Sequence, residues 1–155
     1  MVQQEVRVII VDDHEIMREG LRDLLQDEVG IEIVGLADNG RNAIILAHQY
    51  QPDILIMDLK MPVMTGLEAL WQLHREMPQA KIIILTMYEE EAFFLEALRA
   101  GASGYFLKGS HSSELVRAIH AVQKGGVYLP PQLASCLVSQ YLWQYQQLQE
   151  FQSAP

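Results

Sequence analysis

A single cysteine, Cys136, stands in 155 residues. One thiol cannot form an intrachain disulfide, so nothing calls for an oxidising compartment, and a reducing one is the simpler reading. Basic residues are scarce: eleven Lys and Arg stand against twenty Asp and Glu, a formal net charge of −9. Such a field repels nucleic acid and suits a cation or a basic partner. Past Lys124 there is no Lys or Arg at all. DNA binding draws most of its non-specific affinity from phosphate neutralisation by basic groups, so this chain as given is not expected to bind DNA. No apolar run nears the ~18 residues of a membrane span. The start, Met1 to Glu5, lacks the basic stretch and apolar core of a signal peptide. Together these absences predict a cytoplasmic protein with no membrane partner. Neither GxxxxGK[ST] nor GxGxxG occurs, which argues against a nucleotide site. The histidines, His14, His48, His74, His111 and His120, show no metal-ligand spacing. His14 lies near an acidic pair but reads as a helix N-terminal residue.

What is present is a regular alternation of two hydrophobic periods. Five short runs, at Val6–Val11, Ile31–Ala37, 54–57, 81–85 and Gly104–Leu107, are predicted strands. Runs this apolar occur where helices cover both faces of a parallel sheet. Between them the spacing turns helical. After His14, Ile16, Met17, Leu21, Leu24 and Leu25 share one face, and Gly30 ends the segment. Asn39 is placed to cap a helix carrying Ala43, Ile44 and Ala47 inward. Thr65-x-x-Glu68 has capping-box spacing and opens a helix with Leu67, Leu70, Trp71 and His74 on one side, ended by Pro78. A fourth helix runs from Glu89 to Ala100 with Gly101 just past its end. Ser110 is placed to cap a fifth, with Leu115, Ala118, Ile119 and Val122 inward. The order predicts an α/β fold: a five-stranded, doubly wound parallel sheet with right-handed crossovers and five helices.

The ends of these strands carry the chemistry. Strand one ends on Asp12-Asp13 and strand three on Asp58, before Met61-Pro62 breaks the chain. Strand four ends on Thr86 and strand five on Lys108. In a sheet ordered 2-1-3-4-5, strands one and three are neighbours at the topological switch point, where open α/β sheets bind ligands. Three carboxylates a few ångströms apart raise one another's pKa unless a cation intervenes. Mg²⁺ (or Mn²⁺), with its demand for hard oxygen ligands, is the economical partner. Lys108 supplies a point charge for a phosphate and Thr86 a hydroxyl donor. The set describes a site for moving a phosphoryl group onto a carboxylate, with Asp58 as nucleophile forming an acyl phosphate. Taken singly, each residue is more often a turn former, a helix cap or a solvated charge. Their coincidence at four strand ends is what favours chemistry.

These stretches resemble the receiver domain of bacterial two-component response regulators, over roughly residues 6–125. The resemblance is carried by Val8-Ile9-Ile10-Val11-Asp12-Asp13, by Asp58-Leu59-Lys60-Met61-Pro62-x-x-x-Gly66, by Ile84-Leu85-Thr86, and by Gly101-Ala102-x-Gly104-Tyr105-Phe106-Leu107-Lys108. It implies a flavodoxin-like fold in which Asp58 accepts phosphate from the phosphohistidine of a sensor histidine kinase. It further implies that Asp13 ligates Mg²⁺ directly, Asp12 through water, and the backbone carbonyl of Lys60 completes the protein ligands. Thr86 and Tyr105 would be the switch pair, the hydroxyl moving toward the phosphoryl oxygens as the aromatic ring turns inward. That would alter the face built from the fourth helix, fifth strand and fifth helix. Lys60 and Tyr88 occupy positions that tune phosphoryl lifetime in the family. In one respect the chain departs from the pattern: most receivers follow the lysine with proline, and here Gly109 follows Lys108. The NarL/FixJ group, whose output is a LuxR-type helix-turn-helix, often lacks that proline, and Gly125-Gly126-Val127-Tyr128-Leu129-Pro130 resembles that group's receiver end.

The tail is a separate unit in this reading, with residues 1–125 the receiver and 126–155 a linker and helix. After Pro130-Pro131, Leu133, Leu137, Tyr141, Tyr145 and Leu148 recur at helical spacing, with Val138 and Leu142 alongside. The helix either connects the receiver to a DNA-binding output domain outside this chain, binds a partner or second copy, or packs back on its own receiver. A homodimer could form through the receiver face or this helix. The expectation is a switch and not a turnover enzyme. The enzyme-class alternative is a Mg²⁺-dependent aspartyl-phosphate phosphatase, disfavoured because such enzymes usually carry a second Asp where this chain has Lys60. A pseudo-receiver that never takes phosphate is the third reading.

Overall fold

The computed structural model describes residues 5–87 and 91–153. The strands are β1 (Val6–Val11), β2 (Ile31–Ala37), β3 (Ile54–Asp58), β4 (Lys81–Thr86) and β5 (Gly104–Leu107). The helices are α1 (Glu15–Gln26), α2 (Gly40–Tyr50), α3 (Gly66–Glu76), α4 (Glu91–Arg99), α5 (Ser112–Gln123) and α6 (Pro131–Ser153). The sheet is parallel throughout, in the order β2-β1-β3-β4-β5. This is the doubly wound, flavodoxin-like architecture that the alternating periods predict, with the tail as the extra helix.

Successive strand residues point to opposite faces, and each face buries its own core. Ile9, Val11, Leu55, Met57, Ile82, Ile84 and Tyr105 pack under α2, α3 and α4. Val8, Ile10, Ile54, Ile56, Ile83, Leu85 and Phe106 pack under α1 and α5. Because both faces are covered, β1, β3 and β4 have no polar face, and their sequences read as continuous apolar runs. The free edge of β5 is partly closed by Tyr128, whose N–H donates to the Ser103 carbonyl while its own carbonyl accepts from Tyr105 N–H.

Local signals mostly land where the sequence puts them. Asn39 accepts from Asn42 N–H as the cap of α2, and Thr65 and Glu68 form a reciprocal capping box. Gly101 adopts φ +107°, the left-handed turn that suits glycine past a helix end. Three expectations need correction. Ser110 does not cap α5: the helix begins at Ser112 with His111 at the cap, and Ser110 N–H instead closes a turn onto Leu107. In α3 the inward face is Ala69, Leu70 and Leu73, while Trp71 is half exposed and His74 exposed. The bulk of Trp71 drew the expected stripe one residue away from the small Ala69 that lets the helix approach the sheet. Ile16 is also exposed, at 89%; it stands in the first turn of α1, ahead of the face that Leu25 buries. The expected helix start at Glu89 lies outside the described residues.

The tail helix behaves as two segments. Leu133 is buried in the core, and Leu137 and Tyr141 line a groove against Leu95 and Leu98 of α4. Beyond that, Trp143, Tyr145, Leu148 and Phe151 are largely exposed.

Candidate functional site

Strand register builds the site. Val11 pairs with Met57, so the next residues, Asp12 and Asp58, emerge side by side from neighbouring strands. Asp58 pairs with Leu85 and Thr86 with Leu107, which carries Thr86 and Lys108 to the same end of the sheet. Asp12 and Thr86 are fully buried, and Asp58 is 5% exposed. Lys108 reaches in from the end of β5. Its Nζ lies 2.9 Å from Asp12 Oδ2 and donates to Asp58 Oδ2 at 3.2 Å. Asp13 is the more open acid, at the rim.

The electrostatics follow from burial and crowding. Burial, reinforced by the charge of Asp12, pushes the Asp58 carboxyl above its ordinary 3.8, although Lys108 and the Lys60 backbone N–H both favour the charged form. Burial alone would depress Lys108; its hydrogen bond to Asp12 and the fields of Asp58 and Asp12 outweigh that and hold it above 10.5. One lysine thus sits between two buried carboxylates, Asp12 and Asp58.

Two further groups complete the mouth. The His14 N–H donates to Asp12 Oδ1 at 2.9 Å, and its Nδ1 lies 3.0 Å from that same oxygen and 3.3 Å from Asp13 Oδ1. Arg18 Nη1 donates to the Asp12 carbonyl at 2.7 Å, tying the first turns of α1 to the strand end. Neither placement was legible in the sequence. His14 does stand at the start of α1, as its position suggests, without a side-chain cap bond, and which way its ring turns depends on tertiary neighbours.

The loop after β3 is pinned by Gly66, whose N–H donates to the Leu59 carbonyl at 2.9 Å. A Cβ on Gly66 would fall onto the carbonyl oxygen of Asp58, which explains why a glycine sits eight positions past the acid. Lys60 Nζ stands 4.8 Å over the Phe93 ring, a cation–π contact between loop and α4. Gly109 has φ +94°. Proline is locked near −65°, so the familiar proline could not occupy this path, and glycine is what lets the chain turn while Lys108 points inward.

Tyr105 is fully buried, edge-on to Phe94 with ring centroids 5.4 Å apart. The ring is therefore already turned inward here. Tyr88 lies outside the described residues.

As a metal site the donor set fits. Oxygens of Asp12, Asp13 and Asp58 and a nitrogen of His14 all lie within 4.8 Å of one another. Mg²⁺ asks for one or two carboxylates in an open, partly hydrated octahedron, and Asp13 at the rim leaves room for water.

Comparison with known proteins identifies the class to which this fold and its cluster of strand-end acids belong. The response regulator receiver domain model matches residues 8–120, and the chain belongs to that family. It is 41% identical to the response regulator GacA of Pseudomonas aeruginosa over 132 residues, 85% of this chain and 62% of GacA. Among solved structures it is similar to a LuxR-family two-component response regulator from an Aurantimonas species (TM-score 0.83, 37% identity, 90% of this chain and 99% of that one). It is also similar to the isolated receiver domain of RcsB from Salmonella enterica serovar Typhimurium, solved with the phosphomimetic BeF₃⁻ (TM-score 0.78, 29% identity, 85% and 98%). The resemblance to the NarL and LuxR group thus holds. The chain spans 59–64% of the length of the curated relatives it matches.

Proposed function

We propose that this chain is a phosphorylation-driven switch in which Asp58 takes a phosphoryl group from a sensor histidine kinase. The observation that carries the reading is a nearly buried Asp58 held between Lys108 and the Asp12–Asp13 pair. An oxygen of Asp58 attacks phosphorus, the bond from phosphorus to the donor imidazole nitrogen breaks, and the imidazole leaves with that electron pair. Asp13, Asp12 and the Lys60 carbonyl would hold Mg²⁺, which supplies charge neutralisation for acceptor and phosphoryl group alike. Lys108 is placed to follow the transferred oxygens, and Thr86 to hydrogen-bond one of them. Thr86 and Tyr105 act as the switch pair, and residues 1–125 form the receiver. The setting is cytoplasmic.

The test is incubation with acetyl phosphate and Mg²⁺, followed by intact mass and free phosphate. One stable phosphoryl group per chain supports the switch. Many-fold release of phosphate would identify a phosphatase, and an unchanged mass a pseudo-receiver.

Transcription control is the output we infer, through an output domain outside these 155 residues. GacA and RcsB are response regulators, and RcsB has been solved as dimers bound to DNA. A second reading gives the tail its own role. Tyr141, Tyr145, Leu148 and Phe151 are exposed on a helix whose sole charge is Glu150, so on a chain of −9 this is the surface where two copies meet with least repulsion. Sedimentation should show a dimer that dissociates in Tyr145→Glu with Leu148→Glu. A parent that sediments as a monomer at high concentration removes that reading.

A further inference from the structure

We propose that α4 couples the phosphoacceptor to the tail, so that a phosphoryl group on Asp58 loosens the contact between α4 and the first turns of α6. The inference rests on the phosphoacceptor reading above and extends it to what the tail helix senses. Its basis is three consecutive residues of α4: Phe93, Phe94 and Leu95. Successive side chains on a helix point about 100° apart, so the three reach different neighbours. Phe93 lies under the ammonium of Lys60, whose Nζ is 4.8 Å from the ring centroid. Phe94 is fully buried and stands edge-on to Tyr105, with centroids 5.4 Å apart. Leu95 faces α6, where it lines a groove with Leu98, Leu137 and Tyr141.

At the phosphoacceptor end stands Lys60, two residues past Asp58, with its backbone N–H on the Asp58 carboxyl. In the unmodified protein its ammonium rests on a ring face, a contact of modest strength at an exposed site. Phosphoryl oxygens offer the same ammonium charge-assisted hydrogen bonds, which are stronger. Phosphorylation therefore draws Lys60 off Phe93 and removes one of the contacts that hold α4 in place. The tail end is anchored unevenly. Its root is fixed: Tyr128 gives its N–H to the Ser103 carbonyl at 3.1 Å and accepts from Tyr105 N–H at 3.0 Å, and Leu133 is only 3% exposed. The contact with α4 is looser, because a cavity of about 210 Å³ lies between the two helices and atoms lining a gap forgo dispersion contacts. A displaced α4 thus gives way at α6 before it gives way at the buried Phe94–Tyr105 pair.

The chain carries its own reporter. Its single thiol, Cys136, stands half-buried in the second turn of α6, so the rate of its alkylation reads how firmly that turn is docked. The full chain is treated with acetyl phosphate, Mg²⁺ and iodoacetamide, and intact mass counts both modifications on each molecule. Phosphorylated molecules should alkylate at least about fivefold faster than unphosphorylated ones, the low end of coupling between two sites. In Asp58→Asn, acetyl phosphate should leave the rate unchanged. Phe93→Leu keeps the apolar bulk and lacks the ring face, so it should alkylate fast from the start and gain little on phosphorylation. Equal rates for phosphorylated and unphosphorylated parent overturn this inference and leave the phosphoacceptor reading standing. A Phe93→Leu chain that starts and responds as the parent does overturns it as well, because the lysine–ring contact is then not what holds α4. A parent that gains no phosphoryl mass overturns both readings.

Discussion

Asp58→Asn should gain no phosphoryl mass from acetyl phosphate and Mg²⁺, and the same variant should unfold at a higher temperature than the parent in metal-free buffer at neutral pH. The two effects have one origin. A carboxylate oxygen offers an electron pair to phosphorus, and an amide does not, so loss of acceptance is complete. The residue that does this work is expensive to keep ionised. Burial and the neighbouring Asp12 raise its pKa in the folded chain above 3.8, which means that folding disfavours the charged form. For such a group the associated stability is fully present below the unfolded value and is lost as pH rises through the raised folded value. At neutral pH the metal-free parent therefore carries an unfavourable charge that Asn removes, while Lys108 keeps Asp12 as its partner at 2.9 Å. The direction of that shift sets the sign of the gain, which should appear as a higher melting temperature of the variant at neutral pH. It should disappear as pH falls below 3.8 and shrink when Mg²⁺ is added, because the ion stabilises the parent's acids preferentially. Thermal melts of both proteins, with and without Mg²⁺, measure all of this. A variant less stable than the parent at neutral pH without metal would mean that Lys108 already offsets the whole cost of the buried charge.

The physical reasons that made this site legible in advance also mark where legibility stopped. Strand ends could be placed because both faces of the sheet are buried, so each central strand reads as an apolar run and the first polar residue marks where it leaves the core. Asp12, Asp58, Thr86 and Lys108 therefore converge as the spacing implies. Helix faces were harder. In α3 the periodicity fits Leu70 with either Trp71 or Ala69, and close packing against the sheet favours the smaller side chain. The cap of α5 was misassigned by one residue: Ser110 is a plausible cap former, but the turn at Gly109, with φ +94°, carries the chain on so that His111 takes the cap and Ser112 begins the helix. The His14 ring and the Arg18 guanidinium reach backward from the first turns of α1 onto Asp12. Those partners lie across the strand-to-helix junction, and no local pattern encodes them. The tail's apolar stripe left three readings open, and in the structure α4 covers only its first turns.

Gly66→Ala is the substitution expected to damage the fold most, and the reason is the approach of α3 to the strand end. Its new Cβ would overlap the carbonyl oxygen of Asp58 and crowd Leu59 Cα at 3.0 Å. Neither side can yield cheaply. The β3 backbone is held between β1 and β4, with Asp58 itself in register with Leu85. The helix start is held by the reciprocal Thr65–Glu68 cap and by the Gly66 N–H bond to Leu59. Overpacking of this kind costs roughly 1–3 kcal/mol and occasionally more, and a clash between two backbones belongs at the upper end. That corresponds to a fall in melting temperature of about 6–12 °C. Gly20 supplies the contrast, since it lies inside α1 with nothing within 4 Å of its added Cβ. Gly20→Ala should stabilise by roughly 0.5–1 kcal/mol, the helical preference of alanine over glycine. Opposite signs from the same chemical change would tie the damage to position 66 and not to the methyl group. Any folded Gly66→Ala should also accept phosphate slowly, because the clash falls on the backbone of Asp58 itself. Urea unfolding midpoints and labelling rates of the two variants decide it: a Gly66→Ala chain with the parent's midpoint and rate would show that the loop has slack where the packing here allows none.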